Sequence, residues 1–125
     1  MSQKKELQEE QAPNLLEMYP APAIRWEQEE DGLITLFTPR FSNKWMVKHV
    51  LPRMKNQDLK IHLDEFGSRV WQQIDGRTTV LQIANNLYEE FGEKVEPVYD
   101  RLGLFINHLA RRQFISLASE KDRAE

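Results

Sequence analysis

The chain has 125 residues, a net charge of −3 and no cysteine. This length fits one domain with a buried core. The lack of cysteine excludes disulfides, thiol nucleophiles and thiolate zinc sites, and the three scattered histidines form no metal motif. No apolar run approaches the ~20 residues that cross a bilayer. Because no signal peptide is visible either, the expected compartment is the cytoplasm.

The two ends of the chain differ in composition from its middle. Residues 1–21 are mostly polar, with prolines at 13 and 20, which predicts a flexible N-terminal arm. Residues 22–117 are expected to fold, and the polar tail 118–125 is expected to fray.

Residues 23–38 have the pattern of a β-hairpin. Polar and apolar residues alternate around Trp26, which is expected in the core, and Gly32 completes a turn before a run of strand formers. Further on, Lys60 and His62 alternate with apolar residues over 59–63. This alternation predicts a third, half-buried strand with a polar outer face.

From Asp64 onward the apolar period is helical. Asp64 is a candidate N-cap, Thr79 and Gln82 form a capping-box pattern, and Pro97 fits the first turn of a third helix. The predicted apolar stripes comprise Phe66, Val70, Trp71 and Ile74, then Val80, Ile83, Ala84, Leu87 and Phe91, then Val98, Leu102, Phe105, Ile106 and Leu109.

Strands followed by helices predict an α+β fold. We expect a small antiparallel three-stranded sheet followed by three helices, which is the general plan of a winged helix-turn-helix. Residues 114–117 are expected to form a short final extended segment.

The segment from Leu63 to Trp71, continued by Asp75-Gly76 and Thr79, resembles the signature of the PqqD family (coenzyme PQQ synthesis protein D). That signature is approximately L-D-x-x-G-x-x-[IV]-W, then D-G-x-x-T. The chain departs from the family in its polar arm, in the long basic segment at 40–58, and at Gln113, where the family usually has glycine.

The resemblance implies a protein that is not an enzyme and needs no cofactor. Such domains hold the leader of a ribosomally made precursor peptide and present it to a modifying enzyme, commonly a radical S-adenosylmethionine protein. The leader adds as a strand beside the third strand, in a groove against the third helix. The residues expected to bind it are Lys60, Ile61, His62, Leu63, Arg101, Leu102, Phe105, His108 and Arg112.

The stretch between Arg40 and His62 carries six Lys or Arg residues and one acid, Asp58, within an acidic protein. It is interpreted as a solvated loop, as a docking site for an acidic peptide or partner enzyme, or as a nucleic-acid contact in which Trp45 stacks on bases. The candidate docking residues are Lys44, Trp45, Lys48, Arg53 and Lys55.

Two other functions stay open at this point. The first is a winged-helix DNA-binding regulator. The helix after Gly76 is disfavoured as its DNA reader because it carries no Lys or Arg after Arg77 and ends in Glu89 and Glu90. The third helix carries Arg101, Arg111 and Arg112 and is less easily dismissed as a reader. The second is a homodimer formed by swapping a strand across the long segment at 40–58.

Overall fold

The computed structural model of the protein describes residues 14–39, 48–49 and 58–124. These residues belong to two compact units. Residues 24–68 form the first, which we call the strand unit. Residues up to 23 and from 69 onward form the second, which we call the helical unit. The architecture is α+β with small antiparallel sheets, as predicted, and it is compatible with a winged helix-turn-helix-like plan.

The strands and helices follow one another in the order that the residue patterns predict, with one strand added at the start and one helix at the end. They are β1 (Tyr19–Pro22), β2 (Arg25–Gln28), β3 (Ile34–Pro39), β4 (Asp58–His62), α1 (Glu65–Trp71), α2 (Val80–Phe91), α3 (Val98–Arg111), β5 (Ile115–Ala118) and α4 (Glu120–Ala124).

The strand unit contains an antiparallel sheet with the order β2-β3-β4. The predicted hairpin joins β2 to β3. Its turn requires a positive φ, which Gly32 supplies at 85°. Central strand β3 is the most buried, since Ile34 and Leu36 are wholly inaccessible to solvent.

A buried serine closes this sheet at the end of β4. The N–H of Leu63 donates to the carbonyl of Ile34 at 2.9 Å, which is the last direct bond between the two chain segments. The opposite bond, from the N–H of Ile34 to the carbonyl of Leu63, is absent. The hydroxyl of Ser68, which is 0% exposed, lies between these two groups and bonds to both. This hydroxyl accepts from the N–H of Ile34 at 2.8 Å and donates to the carbonyl of Leu63 at 3.3 Å. Ser68 therefore satisfies two backbone groups that the end of the ladder would leave unpaired.

The helix boundaries confirm the predicted caps of the first two helices, whereas Pro97, predicted for the first turn of the third helix, is the N-cap residue before α3. Asp64 is the N-cap of α1, because its carboxylate accepts from the N–H of Gly67 at 2.8 Å. Thr79 and Gln82 form the full capping box of α2. Gly92 ends α2 with a φ of 61°.

The helical unit has its core on the predicted stripes of α2 and α3. The buried residues comprise Val80, Ile83, Ala84 and Leu87 on α2, and Val98, Leu102, Ile106 and Leu109 on α3. Trp71 and Ile74 are buried as predicted. Phe66, in the strand unit, and Phe91 and Phe105, in the helical unit, are only half-buried.

The C-terminus of α3 is closed by a Schellman motif. The N–H of Phe114 donates to the carbonyl of Leu109 at 2.9 Å, and the N–H of Gln113 donates to the carbonyl of Ala110 at 3.0 Å. This motif places the residue after the C-cap in the left-handed region, and Gln113 has a φ of 63°. The position at which the chain departs from the family's glycine is therefore one at which glycine is favoured.

Two elements lie in segments that were predicted to be flexible. Strand β1 pairs with β5 in a two-stranded antiparallel sheet, with Tyr19 opposite Ala118 and Pro22 opposite Ile115. Helix α4 follows β5. The hydroxyl of Tyr19 donates to the carboxylate of Glu120, so the two segments are also joined by side chains. A short 3-10 helix, Leu15–Glu17, precedes β1, and residues 1–13 of the predicted arm lie outside the described residues.

The prediction that Trp26 belongs to the core is wrong. Its side chain is 40% exposed. The physical reason is that β2 is an edge strand, and all four of its residues are exposed. Alternation along an edge strand therefore did not indicate burial here.

Candidate functional site

Strand β4 is an edge of its sheet. Among the described residues it pairs with β3 and with no other strand. The register places Leu36 opposite Ile61 and Thr35 opposite His62. An edge strand presents backbone groups to which a further strand can bind. Only those residues of β4 whose N–H and C=O groups point away from β3 are available for such pairing.

The hydrogen bond from the Leu63 N–H to the Ile34 carbonyl shows which residues of β4 bond to β3 and which face the open edge. In an antiparallel ladder, hydrogen-bonded pairs alternate with pairs that are not bonded to each other. Since Leu63 bonds to Ile34, the next bonded positions on β4 are Ile61 and Leu59. The N–H and C=O groups of Lys60 and His62 therefore point away from β3, toward the open edge.

The side chains of Lys60 and His62 lie on one face of the sheet, in two rows that cross its strands. In the first row, the Arg25 guanidinium carbon lies 4.2 Å from the ring centroid of Phe37, and Lys60 Nζ lies 6.0 Å from it. Arg25 also pairs with Asp58 at 2.9 Å. Lys60, in contrast, forms no ion pair with any residue that the structure describes, so its charge is available to an approaching carboxylate.

The second row positions His62. Its Nδ1 lies 3.0 Å from Oγ1 of Thr35, the residue directly opposite on β3. Thr35 is 1% exposed, whereas His62 is exposed. A buried hydroxyl therefore orients an exposed imidazole on the strand that has the open edge.

The other two predicted strand residues have different surroundings. Ile61 is half-buried and its backbone groups face β3, and Leu63 is buried with its N–H bonded to Ile34. They pack and align β4, while Lys60 and His62 present its polar groups outward.

The predicted residues of α3 belong to the helical unit, and the structure gives them unequal exposure. His108 and Arg112 are exposed, and Phe105 is half-buried. The guanidinium of Arg101 donates to the carbonyl of Lys94 at 3.0 Å, so it braces the turn before α3. Leu102 is 0% exposed, which places it in the core and excludes it as a contact surface in this conformation. That β4 and α3 together form one groove stays a prediction.

Sequence reasoning missed Leu104 on α3, which is 74% exposed. Its spacing puts it three residues after Arg101 and four before His108, on the same helical face. Its exposure could have been predicted from the sequence, because Leu104 lies outside the apolar stripe of this helix.

The basic segment is almost entirely outside the described residues. Lys44, Trp45, Arg53 and Lys55 lie there, so their predicted docking role is untested. Lys48 and its neighbour His49 are helical in conformation and exposed.

Within residues 14–39, 48–49 and 58–124, no three acidic or histidine side chains come together as metal ligands. No helix of that part of the chain has the length and hydropathy required to cross a membrane.

The protein combines an open strand edge with a fold of the winged helix-turn-helix type. The family model described as coenzyme PQQ synthesis protein D (PqqD) matches residues 54–115, which include β4, α1, α2 and α3. This match confirms the resemblance to the PqqD family that the sequence indicates. Searches of the curated proteins and of the solved structures found no match to the chain.

Proposed function

We propose that this protein is a non-catalytic peptide-binding partner in peptide modification. It binds the leader of a ribosomally made precursor peptide by strand addition at β4 and presents it to a modifying enzyme of the radical S-adenosylmethionine type. The observation that carries the proposal is the open edge of β4, with the backbone groups of Lys60 and His62 directed outward. The match to the PqqD family model supports it.

Strand addition alone gives only moderate affinity. By the same alternation Asp58 also directs its backbone groups outward, so Asp58, Lys60 and His62 offer three donors and three acceptors, and each hydrogen bond contributes a net ~0.5–1.5 kcal/mol. Six such bonds sum to about 3–9 kcal/mol before the entropic cost of association, whereas micromolar affinity requires a net of about 8 kcal/mol. Side-chain contacts must supply the remainder. We assign them to the side chains of Lys60 and His62 and, on α3, to Phe105, His108 and Arg112.

The charges favour a leader with acidic residues. The unpaired ammonium of Lys60 and the exposed imidazole of His62 flank the open edge. On α3, the exposed Arg112 adds a further cation. Acidic side chains at alternate positions of the leader would meet this charge when the leader runs beside β4.

The first experiment identifies the ligand. The tagged protein is isolated from lysate of its own host, with and without nuclease, and the bound peptides and proteins are identified by mass spectrometry. The recovered peptide is then synthesised and its affinity is measured by calorimetry. Recovery of nuclease-sensitive nucleic acid without a peptide would contradict the proposal and favour the DNA-binding alternative. The absence of Lys and Arg from α2 disfavours that alternative.

A matched pair of variants then tests the binding mode. Lys60→Pro removes an N–H that points to the open edge, while Lys60→Ala removes the charge and keeps the N–H. Proline is tolerated on an edge strand where its nitrogen faces away from the neighbour, so both variants should fold. We expect Lys60→Pro to weaken binding about tenfold more than Lys60→Ala, because it removes one hydrogen bond and disturbs the next. Equal affinities for the two variants would exclude pairing at this position.

Amide hydrogen exchange supplies an independent measurement at single residues. The amides of Lys60 and His62 should become protected when the peptide binds. Those of Leu59 and Ile61 face β3 and should be protected already. Unchanged exchange at Lys60 and His62 under saturating peptide would refute strand addition at β4.

A further inference from the structure

A cleft of about 970 Å³ opens in the helical unit, between the middle of α2 and the first turn of α3. It is lined by residues of both segments, including 96–100 at the start of α3. Nothing in the proposed leader-binding role uses this surface.

The floor of the cleft is apolar and its rim combines two tyrosines with three carboxylates. Ala84 and Val98 are 1% and 8% exposed and form part of the floor. Tyr88 is 45% exposed and Tyr99 is 52% exposed, so both rings have large accessible surfaces. The carboxylates are those of Glu89, Glu96 and Asp100.

These three carboxylates are not neutralised. None of them forms an ion pair with a residue that the structure describes, and the lining contains no Lys, Arg or His. Glu90, next to Glu89, shows the contrast, because it is paired with Arg69. The cleft therefore concentrates negative charge beside aromatic surface.

The positive end of the α3 dipole can stabilise only part of this negative charge. Its positive end amounts to about half an elementary charge and favours Asp100 in the first turn. Glu89 lies in the last turns of α2, where the same effect disfavours a carboxylate. Three carboxylates exceed what one helix end can balance.

The walls of the cleft are held in place without a ligand. The turn between the helices is fixed by the bond from Arg101 to the carbonyl of Lys94, at 3.0 Å, and by the bond from the N–H of Glu96 to the carbonyl of Glu93, at 3.1 Å. A preformed cleft lowers the entropic cost of binding.

From this cleft we infer a second binding site, which takes an arginine side chain from a basic segment of a partner protein. A guanidinium stacks on tyrosine rings and pairs with carboxylates through a planar fork of donors, which an ammonium lacks. The apolar floor receives the methylene stem of the arginine. The site does not depend on the proposed function, since its residues lie apart from β4 in the chain.

The test is an NMR titration of the full chain with acetylated, amidated hexapeptides in an alanine–glycine background. One peptide carries a central arginine, and its control carries citrulline, which has nearly the same shape and no charge. The arginine peptide should cause saturable shifts at Ala84, Tyr88 and Tyr99, and the citrulline peptide should bind at least tenfold more weakly. Equal binding of the two, or no saturable shift at these residues, would overturn the inference.

Variants distinguish binding of the arginine peptide in the cleft from nonspecific attraction to the negative charge of the protein. Glu89→Gln combined with Asp100→Asn should weaken arginine binding at least fivefold, whereas Glu93→Gln, an exposed carboxylate outside the lining, should change it less than twofold. A peptide of residues 40–57 of this chain, which carries five Lys or Arg residues and no acid, is titrated in parallel. If it binds the cleft much more tightly than the arginine hexapeptide, the occupant is the segment 40–57 of this chain itself, and the assignment to a different partner is wrong.

Discussion

Replacing Ser68 with alanine should destabilise the protein far more than the loss of one oxygen atom would imply. The hydroxyl is wholly buried and serves the N–H of Ile34 at 2.8 Å and the carbonyl of Leu63 at 3.3 Å. Alanine leaves both groups without this partner. Each buried group left unsatisfied costs ~1–3 kcal/mol, and the longer bond to Leu63 should contribute less. We therefore expect a loss of about 2–3 kcal/mol.

Urea unfolding followed by circular dichroism measures this loss. With a slope of about 1–3 kcal/mol per molar urea, the midpoint should fall by about 1 M. Ser116→Ala is the matched control, because Ser116 is an exposed serine in a strand. Its effect should stay within about 0.5 kcal/mol.

Hydrogen exchange locates the effect. The Ile34 amide should exchange faster in Ser68→Ala, since that amide loses its acceptor. If the variant is as stable as the Ser116→Ala control and the Ile34 amide remains protected, the serine does not close the ladder as described.

Two further predictions concern single positions. Gln113→Gly should stabilise the protein by about 0.5–1 kcal/mol, because glycine adopts the φ of 63° without strain, although it also gains freedom in the unfolded chain; a thermal scan that shows a lower melting temperature would contradict this. Burial raises the pKa of Asp75, but hydrogen bonds from the Arg77 N–H and from the hydroxyl and N–H of Thr78 outweigh it, so the pKa is lowered from 3.8. Its contribution to stability is therefore present above the unfolded pKa and is lost as the pH falls through the lower folded value. Asp75→Asn should reduce the loss of stability between pH 5 and pH 3, which urea midpoints at both pH values would measure.

Local patterns were sufficient to predict most of the elements. The caps at Asp64 and Thr79 involve residues three positions apart, and the stripes of α2 and α3 follow the helical period, so a short sequence window is enough to predict both. The turn at Gly32 is local in the same way.

Long-range pairing was not readable. Strand β1 is four residues long and contains two prolines, which disfavour a strand assignment. Its partner β5 lies almost a whole chain length away, so no local pattern links them.

At the candidate site, too, the local pattern predicted the strand but not the contacts that depend on distant residues. The alternation around Lys60 and His62 predicted β4 and its polar face. Which backbone groups are outward depends on the register against β3, and that register is fixed by contacts of Ile34, Leu63 and Ser68. The position of Leu102 on the third helix predicts a contact with the peptide, but the apolar stripe to which Leu102 belongs faces the core.

The pairing of β1 with β5 also has a consequence for truncation. Removing the chain up to Pro22 would leave β5 as an unpaired edge, and it would take away the tyrosine that bonds to Glu120 at the start of α4. The N–H of Gly76 and that of Val80 would also lose their acceptors, the carbonyls of Pro20 and Met18. A shortened protein that keeps the whole region matched by the family model would thus lose contacts that hold β5 and α4, and hydrogen bonds at the turn before α2 and at its first residue.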